Sequence, residues 1–285
     1  MIRPFLEERY ARRDDCIAAA LVTKSMRHFR LLDGFDALVI VAATEPTVRF
    51  THHYSKDGWR IQERWFGRQT LESLLDSDVL PEVKMWLSSG EILTDKQGWL
   101  QTMREKMRAA ESEGRELKMF REFCLFLRHF TLSKIELENG ELLDAHSDIL
   151  TAVHHWARLS IIESGAWPEM SVWKQVRKIN AGIFKLYEEL SSNAETLEQR
   201  VRLAHLACDF SVTSKLKAYC RPLMRILSSR EEPWSAAELE DVPELAPMRG
   251  ELHLVLKKLA KRSLIREVLV AGDPALEMLE LKYTS

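Results

Sequence analysis

The N-terminal third of the chain contains the patterns that are typical of β-structure. The continuous apolar runs Cys16–Val22 and Phe35–Ala42 predict short strands that are buried on both faces of a sheet. The runs Val48–Tyr54 and Trp59–Trp65 alternate in polarity and are separated by an Asp57-Gly58 pair. This spacing predicts a β-hairpin, because Asp-Gly readily adopts the turn that joins two twisted strands.

Helical patterns surround these strands. Helices are expected over Pro4–Arg13, Gln69–Leu75 and Pro81–Ser88, and Gly90–Asp95 predicts one more short strand. The mixture of helices and strands predicts an α+β domain over residues 1–96.

The middle of the chain follows a helical period almost throughout. One predicted helix carries an apolar stripe from Leu117 to Thr131, and a second carries one from Leu142 to Leu159 and ends at Gly165. Ser171 is expected to cap a third helix that continues to Leu190. Asn193 would cap a fourth, which Pro222 would break. Successive helices with short loops predict an all-α bundle over residues 97–212.

The last part of the chain returns to mixed structure. Ser235 and Glu238 have the spacing of a capping box, and Met248–Arg262 predicts a longer helix. Ser263–Val270 and Leu276–Tyr283 predict two strands. This order is that of a small winged helix-turn-helix domain, expected over residues 213–285.

Composition narrows the class of protein. The 285 residues include 46% apolar and 29% charged residues, which are values of a folded globular chain of two or three domains. The formal charge of −2 excludes a general nucleic-acid-coating protein, so any such binding would have to come from a local patch. The longest apolar run, Ala37–Ala43, is far too short to span a membrane, and no signal peptide is expected at the N-terminus.

The cysteines also carry information. The chain has four, far apart in sequence and with no Cys-x-x-Cys spacing, which excludes a zinc ribbon and a thioredoxin-type pair. Sparse thiols of this kind fit a reducing cytoplasm, where we expect the protein to reside without a membrane partner.

Candidate chemistry lies at the start of the second buried strand. Asp36 follows a polar loop, residues 23–33, that holds Lys24 and Arg27. A carboxylate beside basic groups suits a Mg²⁺-bound phosphate, and Asp33 and Glu63 are further candidate carboxylates. The alternative is purely structural: Asp33 belongs to a turn, Asp36 caps a strand entry and Glu63 faces solvent.

The whole chain resembles a bacterial family called nucleotidyltransferase-like. The resemblance rests on the helix, strand, loop, strand and hairpin order and on the following segments: Gly90–Asp95, Leu143-Asp144-Ala145, His154–Leu159, Val172–Val176 and Lys185–Leu190. It implies a minimal nucleotidyltransferase domain, a helical substrate-binding domain and a winged helix. It also implies Mg²⁺-dependent transfer of a nucleotidyl group from a nucleoside triphosphate to a small-molecule hydroxyl.

In active members of that superfamily, a Gly-Ser pair ends the first strand, an Asp-x-Asp follows, and a third carboxylate lies on a later strand. On this resemblance the catalytic residues would be Asp36, Asp33 and Glu63, with Asp36 and Asp33 as metal ligands. The nucleotide phosphates would contact a set of polar and basic residues at the end of the first strand, namely Thr23, Lys24, Ser25 and Arg27.

This sequence departs from the pattern. Gly34 stands where the first aspartate is expected, Asp33 is one residue out of register, and Val22-Thr23 replaces Gly-Ser. Glu63 corresponds to the third carboxylate only by its strand. Two-metal chemistry needs carboxylates that bridge both ions, so the sequence predicts a degenerate metal site.

The helical domain offers substrate-binding candidates, Asp144, His155 and Arg158, which lie near one face of their helix. On the preceding helix, Lys118, Arg121, Arg128 and His129 lie on one side. A histidine could serve as a base because its pKa is near neutral. The alternative is that His154 packs in the core while His155 pairs with Asp148 or Arg158.

Two other functional classes remain open. The chain could be an inactive nucleotide- or ligand-binding regulator that acts through its winged helix, or a scaffold in which the eight tryptophans only pack. DNA binding through the basic end of the helix Met248–Arg262 is disfavoured, because the segment before it is rich in Glu and Asp. The sequence leaves open whether the protein forms a homodimer.

Overall fold

The computed structural model describes residues 2–24, 34–46, 49–76, 81–169, 171–192, 194–271 and 278–285. The contacts divide the chain into two compact units, Met1–Glu113 and Gly114–Ser285. The first unit therefore includes a helix beyond residue 96, where the sequence analysis placed the first boundary. The second unit contains both the predicted bundle and the predicted C-terminal domain.

The first unit is a sheet with helices on both faces. Its elements are α1 (Arg3–Ala11), β1 (Cys16–Thr23), β2 (Ala37–Ala43), β3 (Arg49–Lys56), β4 (Trp59–Gly67), α2 (Arg68–Asp76), α3 (Pro81–Ser89), β5 (Glu91–Asp95) and α4 (Trp99–Glu113). The strand order is β3-β4-β2-β1-β5, with β2 and β4 parallel and the other pairs antiparallel.

The two central strands form the core of this sheet. Every residue of β2 is buried, as its continuous apolar run predicts. One face of the sheet packs against Leu6 and Tyr10 of α1, and the other packs against α2, α3 and α4. Asp57 and Gly58 both have positive φ values, which confirms the predicted hairpin turn between β3 and β4.

The second unit is mostly helical. Its elements are α5 (Arg115–Glu138), α6 (Leu142–Glu163), α7 (Val172–Ile179), α8 (Ala181–Ser191), α9 (Leu197–Tyr219), α10 (Arg221–Leu227), β6 (Trp234–Ser235), α11 (Ala236–Glu240), α12 (Arg249–Lys261), β7 (Arg266–Ala271) and β8 (Leu279–Thr284). The apolar faces of α5 and α6 meet in one core, which extends through α9 and α10 to α12. A three-stranded sheet, ordered β6-β8-β7, completes the C-terminal part.

The prediction of one continuous third helix is wrong, because the structure has two helices in this segment. The backbone of Asn180 is not helical, at φ −143° and ψ 86°, and this residue ends α7 and begins α8. Its side chain accepts a hydrogen bond from the backbone N–H of Ile183, which Ser171 does not do for α7. The predicted cap Asn193 lies outside the described residues, and the cap of α9 is Thr196.

Pro222 lies in the first turn of a new helix, α10, so the predicted break of the fourth helix is present. The capping box at Ser235 and Glu238 is present as well. The order of α11, α12, β7 and β8 is the predicted one, and the assignment of this segment to a winged helix stays a prediction. Among the described residues, no helix is both long enough and apolar enough to cross a membrane.

Candidate functional site

The end of β1 and the entry to β2 bring Lys24 and Asp36 together. The ammonium Nζ of Lys24 lies 2.7 Å from Oδ1 of Asp36, and the backbone N–H of Arg60 donates to Oδ2 at 2.8 Å. The Lys24 hydrogen bond, followed by that from Arg60, lowers the pKa of Asp36. The carboxylate is therefore ionised at neutral pH, and it forms an ion pair with the ammonium group where β1 ends and β2 begins.

A cavity opens beside this ion pair. Its volume is about 410 Å³, and six residues line it: Thr23, Lys24, Asp36, Asp57, Gly58 and Trp59. The hairpin turn contributes to the lining, so the Asp57-Gly58 pair that joins β3 to β4 also shapes this cavity. The cavity thus contains the predicted residues Thr23, Lys24 and Asp36.

Glu63 does not belong to this group. It is only 1% exposed, its Oε1 accepts a hydrogen bond from the hydroxyl of Tyr10, and Arg9 lies 3.4 Å away. It lies three positions after Arg60 on β4, which is about 10 Å along a strand. The structure therefore does not bring Glu63 to Asp36, and Glu63 does not face solvent either, because α1 covers that face of the sheet.

These contacts decide whether the described residues could form a Mg²⁺ site. Both oxygens of Asp36 already accept hydrogen bonds, and no group of three or more His, Cys, Asp or Glu in the described ranges could hold a metal ion. The described residues thus do not form the magnesium site that the resemblance implies. Asp33, Ser25 and Arg27 lie outside the described residues.

A second polar cluster lies between α5 and α6, centred on Glu122. This carboxylate is buried, yet Nδ1 of His155 lies 2.8 Å from Oε2 and Nε of Arg158 donates to Oε1 at 2.7 Å. Burial acts to raise the pKa of Glu122, but the His155 hydrogen bond and the charge of Arg158 outweigh it and leave the pKa lowered. Glu122 therefore stays ionised and holds two of the three predicted substrate-binding side chains, His155 and Arg158.

The cluster continues along the two helices. Nδ1 of His129 lies 2.6 Å from Oδ1 of Asp148, and the His129 ring stacks on that of His155 at 5.7 Å. We call the five side chains of this continuous arrangement the helical polar row: Glu122, His129, Asp148, His155 and Arg158. His154 lies beside the row, partly buried, with its ring against Trp173.

Asp144 is not in contact with His155 and Arg158. It is exposed on the first turn of α6, 11 residues before His155, which is about 16 Å along a helix. It lies instead near Glu136. Burial, followed by the hydrogen bond and charge of Asp148 and the charges of Asp144 and Glu141, raises the pKa of Glu136 to about 7.

Sequence reasoning missed Glu122 and the pairing of His129 with Asp148. A signal was present, since Glu122 and His129 are seven residues apart, which is two helical turns and places them on one face of their helix. Their partners on α6 could be chosen only once the packing of the two helices was known.

Comparisons with known proteins agree with this architecture. Residues 1–115 match the family model described as nucleotidyltransferase-like, and residues 116–215 match that of the YgxA-like substrate binding domain. The "Uncharacterized protein YgxA" of Bacillus subtilis (strain 168) is 28% identical over 278 residues, which cover 93% of this chain and 90% of the relative.

A solved structure is also similar. The crystal structure of a nucleotidyltransferase-like protein from Exiguobacterium sibiricum 255-15 has a TM-score of 0.72 and 28% identity, covering 99% of this chain and 97% of that chain. The two domain models match in succession along the chain, and both relatives align over nearly its whole length. Residues 1–115 therefore belong to the nucleotidyltransferase-like domain family, and residues 116–215 belong to the YgxA-like substrate binding domain family.

Proposed function

We propose that this protein binds a nucleotide or another phosphorylated small molecule in the cavity beside Lys24 and Asp36. The observation that carries the proposal is the ammonium of Lys24, which lies 2.7 Å from Asp36, since both residues line a cavity of about 410 Å³. The Lys24 side chain is 55% exposed, so it can approach a phosphate. Lysine is a common phosphate ligand, acting as a point charge.

The helical polar row is the proposed contact for a second substrate. It lies in the part of the chain that matches a substrate binding domain, and Glu122 holds His155 and Arg158 in fixed positions. In this proposal a hydroxyl of that second substrate donates a hydrogen bond to the imidazole of His155. Since the described carboxylates do not form a metal site, no step is assigned to a metal ion.

A thermal-shift series on the full chain tests the first proposal. ATP, GTP, CTP, UTP and inorganic pyrophosphate are each added with and without Mg²⁺. A ligand that binds only the native state raises the melting temperature. We expect a rise with at least one of them, its loss in Lys24→Ala, and its retention in Arg68→Ala, a control that removes an exposed cation paired with Glu72 in the same unit.

The comparison of samples with and without Mg²⁺ tests whether Asp36 binds a metal ion. A rise that needs Mg²⁺ and vanishes in Asp36→Asn would indicate a metal held by Asp36 together with groups outside the described residues. A rise that is independent of Mg²⁺ would indicate phosphate binding by Lys24 alone. No rise with any of the five ligands, or an equal rise in Lys24→Ala, would refute the proposed site.

A second candidate is a ligand-binding regulator without turnover. The C-terminal helix α12 shares the core of the bundle, and it is tied to α5 by an ion pair of 2.9 Å between Arg128 and Glu251. This continuity favours a protein in which α12 responds to a ligand on the bundle. Ligand binding without pyrophosphate release, accompanied by changed hydrogen exchange in α12, would support this candidate over transfer.

A further inference from the structure

The edge strand β3 carries a row of aromatic rings on one face. Phe50, His52 and Tyr54 alternate along the strand, with ring centroids 5.0 Å apart for the first pair and 5.9 Å for the second. Phe50 and Tyr54 are 38% and 39% exposed, and His52 is exposed as well. Large aromatic side chains are usually much more buried than this.

A guanidinium group lies at each end of the row. Arg9 of α1 lies over the ring of Tyr54 at 4.9 Å. At the other end, Phe50 stacks on Trp65 at 5.4 Å, and Arg13 lies over Trp65 at 4.4 Å. We call the three exposed rings and the two arginines the β3 aromatic platform.

The two arginines of the platform and their acidic partners differ in how much of each side chain is exposed. Arg9 and Arg13 keep 31% and 39% of their side chains exposed. The carboxylate that faces Arg9, Glu63, is 1% exposed, whereas Asp15, which pairs with Arg13, is about half exposed. The accessible charge of the platform is therefore slightly positive.

We propose that the β3 aromatic platform binds single-stranded nucleic acid, with bases stacked on Phe50, His52 and Tyr54 and phosphates against Arg9 and Arg13. Exposed aromatic rings in succession, bordered by cations, form the stacking surface that such proteins use, and every base has a face that can stack. A duplex conceals those faces, so the platform discriminates against it. The overall charge of −2 restricts binding to this local surface.

Fluorescence anisotropy with the full chain tests the proposal. The probes are fluorescein-labelled oligouridylate and oligothymidylate about 12 nucleotides long, within the usual range of site sizes. We expect both to bind, and a blunt duplex of equal length to compete poorly. Because the net accessible charge is small, affinity should fall only about threefold between about 50 mM and about 200 mM salt.

Two double variants distinguish the loss of ring stacking from a general effect of substitutions in β3. Phe50→Leu with Tyr54→Leu keeps apolar bulk but removes two ring faces, and it should weaken binding at least about tenfold. Thr51→Ala with Ser55→Ala changes exposed residues on the opposite face of the same strand and should leave binding unchanged. Circular dichroism and melting curves confirm that both variants are folded.

Three results would overturn the proposal: no anisotropy change with the wild-type chain, equal loss in both double variants, or a duplex that competes as well as the single strand. A dimer that dissociates in the Phe50→Leu, Tyr54→Leu variant, with no oligonucleotide binding, would also overturn it and assign this edge strand to a second copy of the chain. The thermal-shift test at Lys24 uses different residues, so the two proposals can fail independently.

Discussion

At the scale of single residues, burial decides which charged groups of this protein are held in place. Glu122 and Glu63 are both buried carboxylates, but Glu122 has two basic partners within hydrogen-bond distance, while Glu63 has the hydroxyl of Tyr10 and a more distant Arg9. The first arrangement orders a candidate site, and the second joins a helix to a sheet. Breaking a buried charge pair leaves one charge without its partner, which is costly.

Glu122→Gln tests the role of this carboxylate. The variant keeps the shape of the side chain but removes the charge that balances Arg158, and we expect it to lower the free energy of unfolding by about 2 kcal/mol. Denaturant unfolding measures the change. Glu198→Gln, which affects an exposed pair with Arg202 on α9, is the matched control and should change stability by less than about 0.5 kcal/mol. Equal effects of the two variants would contradict the structural role of Glu122.

At the scale of secondary-structure elements, capping determines where the helices of the second unit begin. Asn180 sits between α7 and α8, and its side-chain oxygen accepts from the N–H of Ile183 at 3.2 Å. Ser171 occupies the equivalent position before α7, but its side chain makes no capping hydrogen bond. The two residues form a natural comparison, because both are polar N-caps in one unit.

Asn180→Ala should therefore destabilise the protein by about 1 kcal/mol, the usual cost of losing a capping side chain. Ser171→Ala should have little effect, since there is no side-chain cap to lose. Thermal or urea unfolding of both variants measures the difference. A Ser171 variant as unstable as the Asn180 variant would mean that α7 depends on a cap that the structure does not contain.

At the scale of the whole molecule, two groups give the stability opposite dependences on pH. Burial, with the charge of Lys134, lowers the pKa of His205 to about 4, whereas the pKa of Glu136 is raised to about 7. Below its unfolded pKa of about 6.5, His205 binds protons more readily in the unfolded chain, so its contribution to stability falls as pH falls towards 4. Above its unfolded pKa of about 4.3, Glu136 binds protons more readily in the native state, so its contribution falls as pH rises towards 7.

The two slopes oppose each other between about pH 4.5 and 6.5. In Glu136→Gln, we expect the free energy of unfolding to rise more steeply with pH over this window than in the wild-type chain. In His205→Gln, it should rise less steeply with pH than in the wild-type chain. Urea unfolding across the window measures these slopes, and identical slopes in the wild type and both variants would contradict the assignment.

Most elements of this protein follow from local sequence. The buried runs of β1 and β2, the Asp57-Gly58 turn and the stripes of α5 and α6 were predictable because side-chain periodicity and turn chemistry act over a few residues. The same local signals indicated the family and placed Lys24 near Asp36, since both lie at one end of adjacent strands. They also identified His155 and Arg158 as polar residues of one helix.

Tertiary structure decided the environments of the buried carboxylates Glu63 and Glu122. The strand that carries Glu63 was predicted, but its burial under Tyr10 depends on where α1 packs, and so its separation from Asp36 could not be known from sequence. Glu122 acquired its role only when α5 and α6 came into contact. The sequence by itself determined the helices, strands and turns, because these depend on interactions between near neighbours. Only the packed structure determined which charges meet, because burial and partners depend on residues that are far apart along the chain.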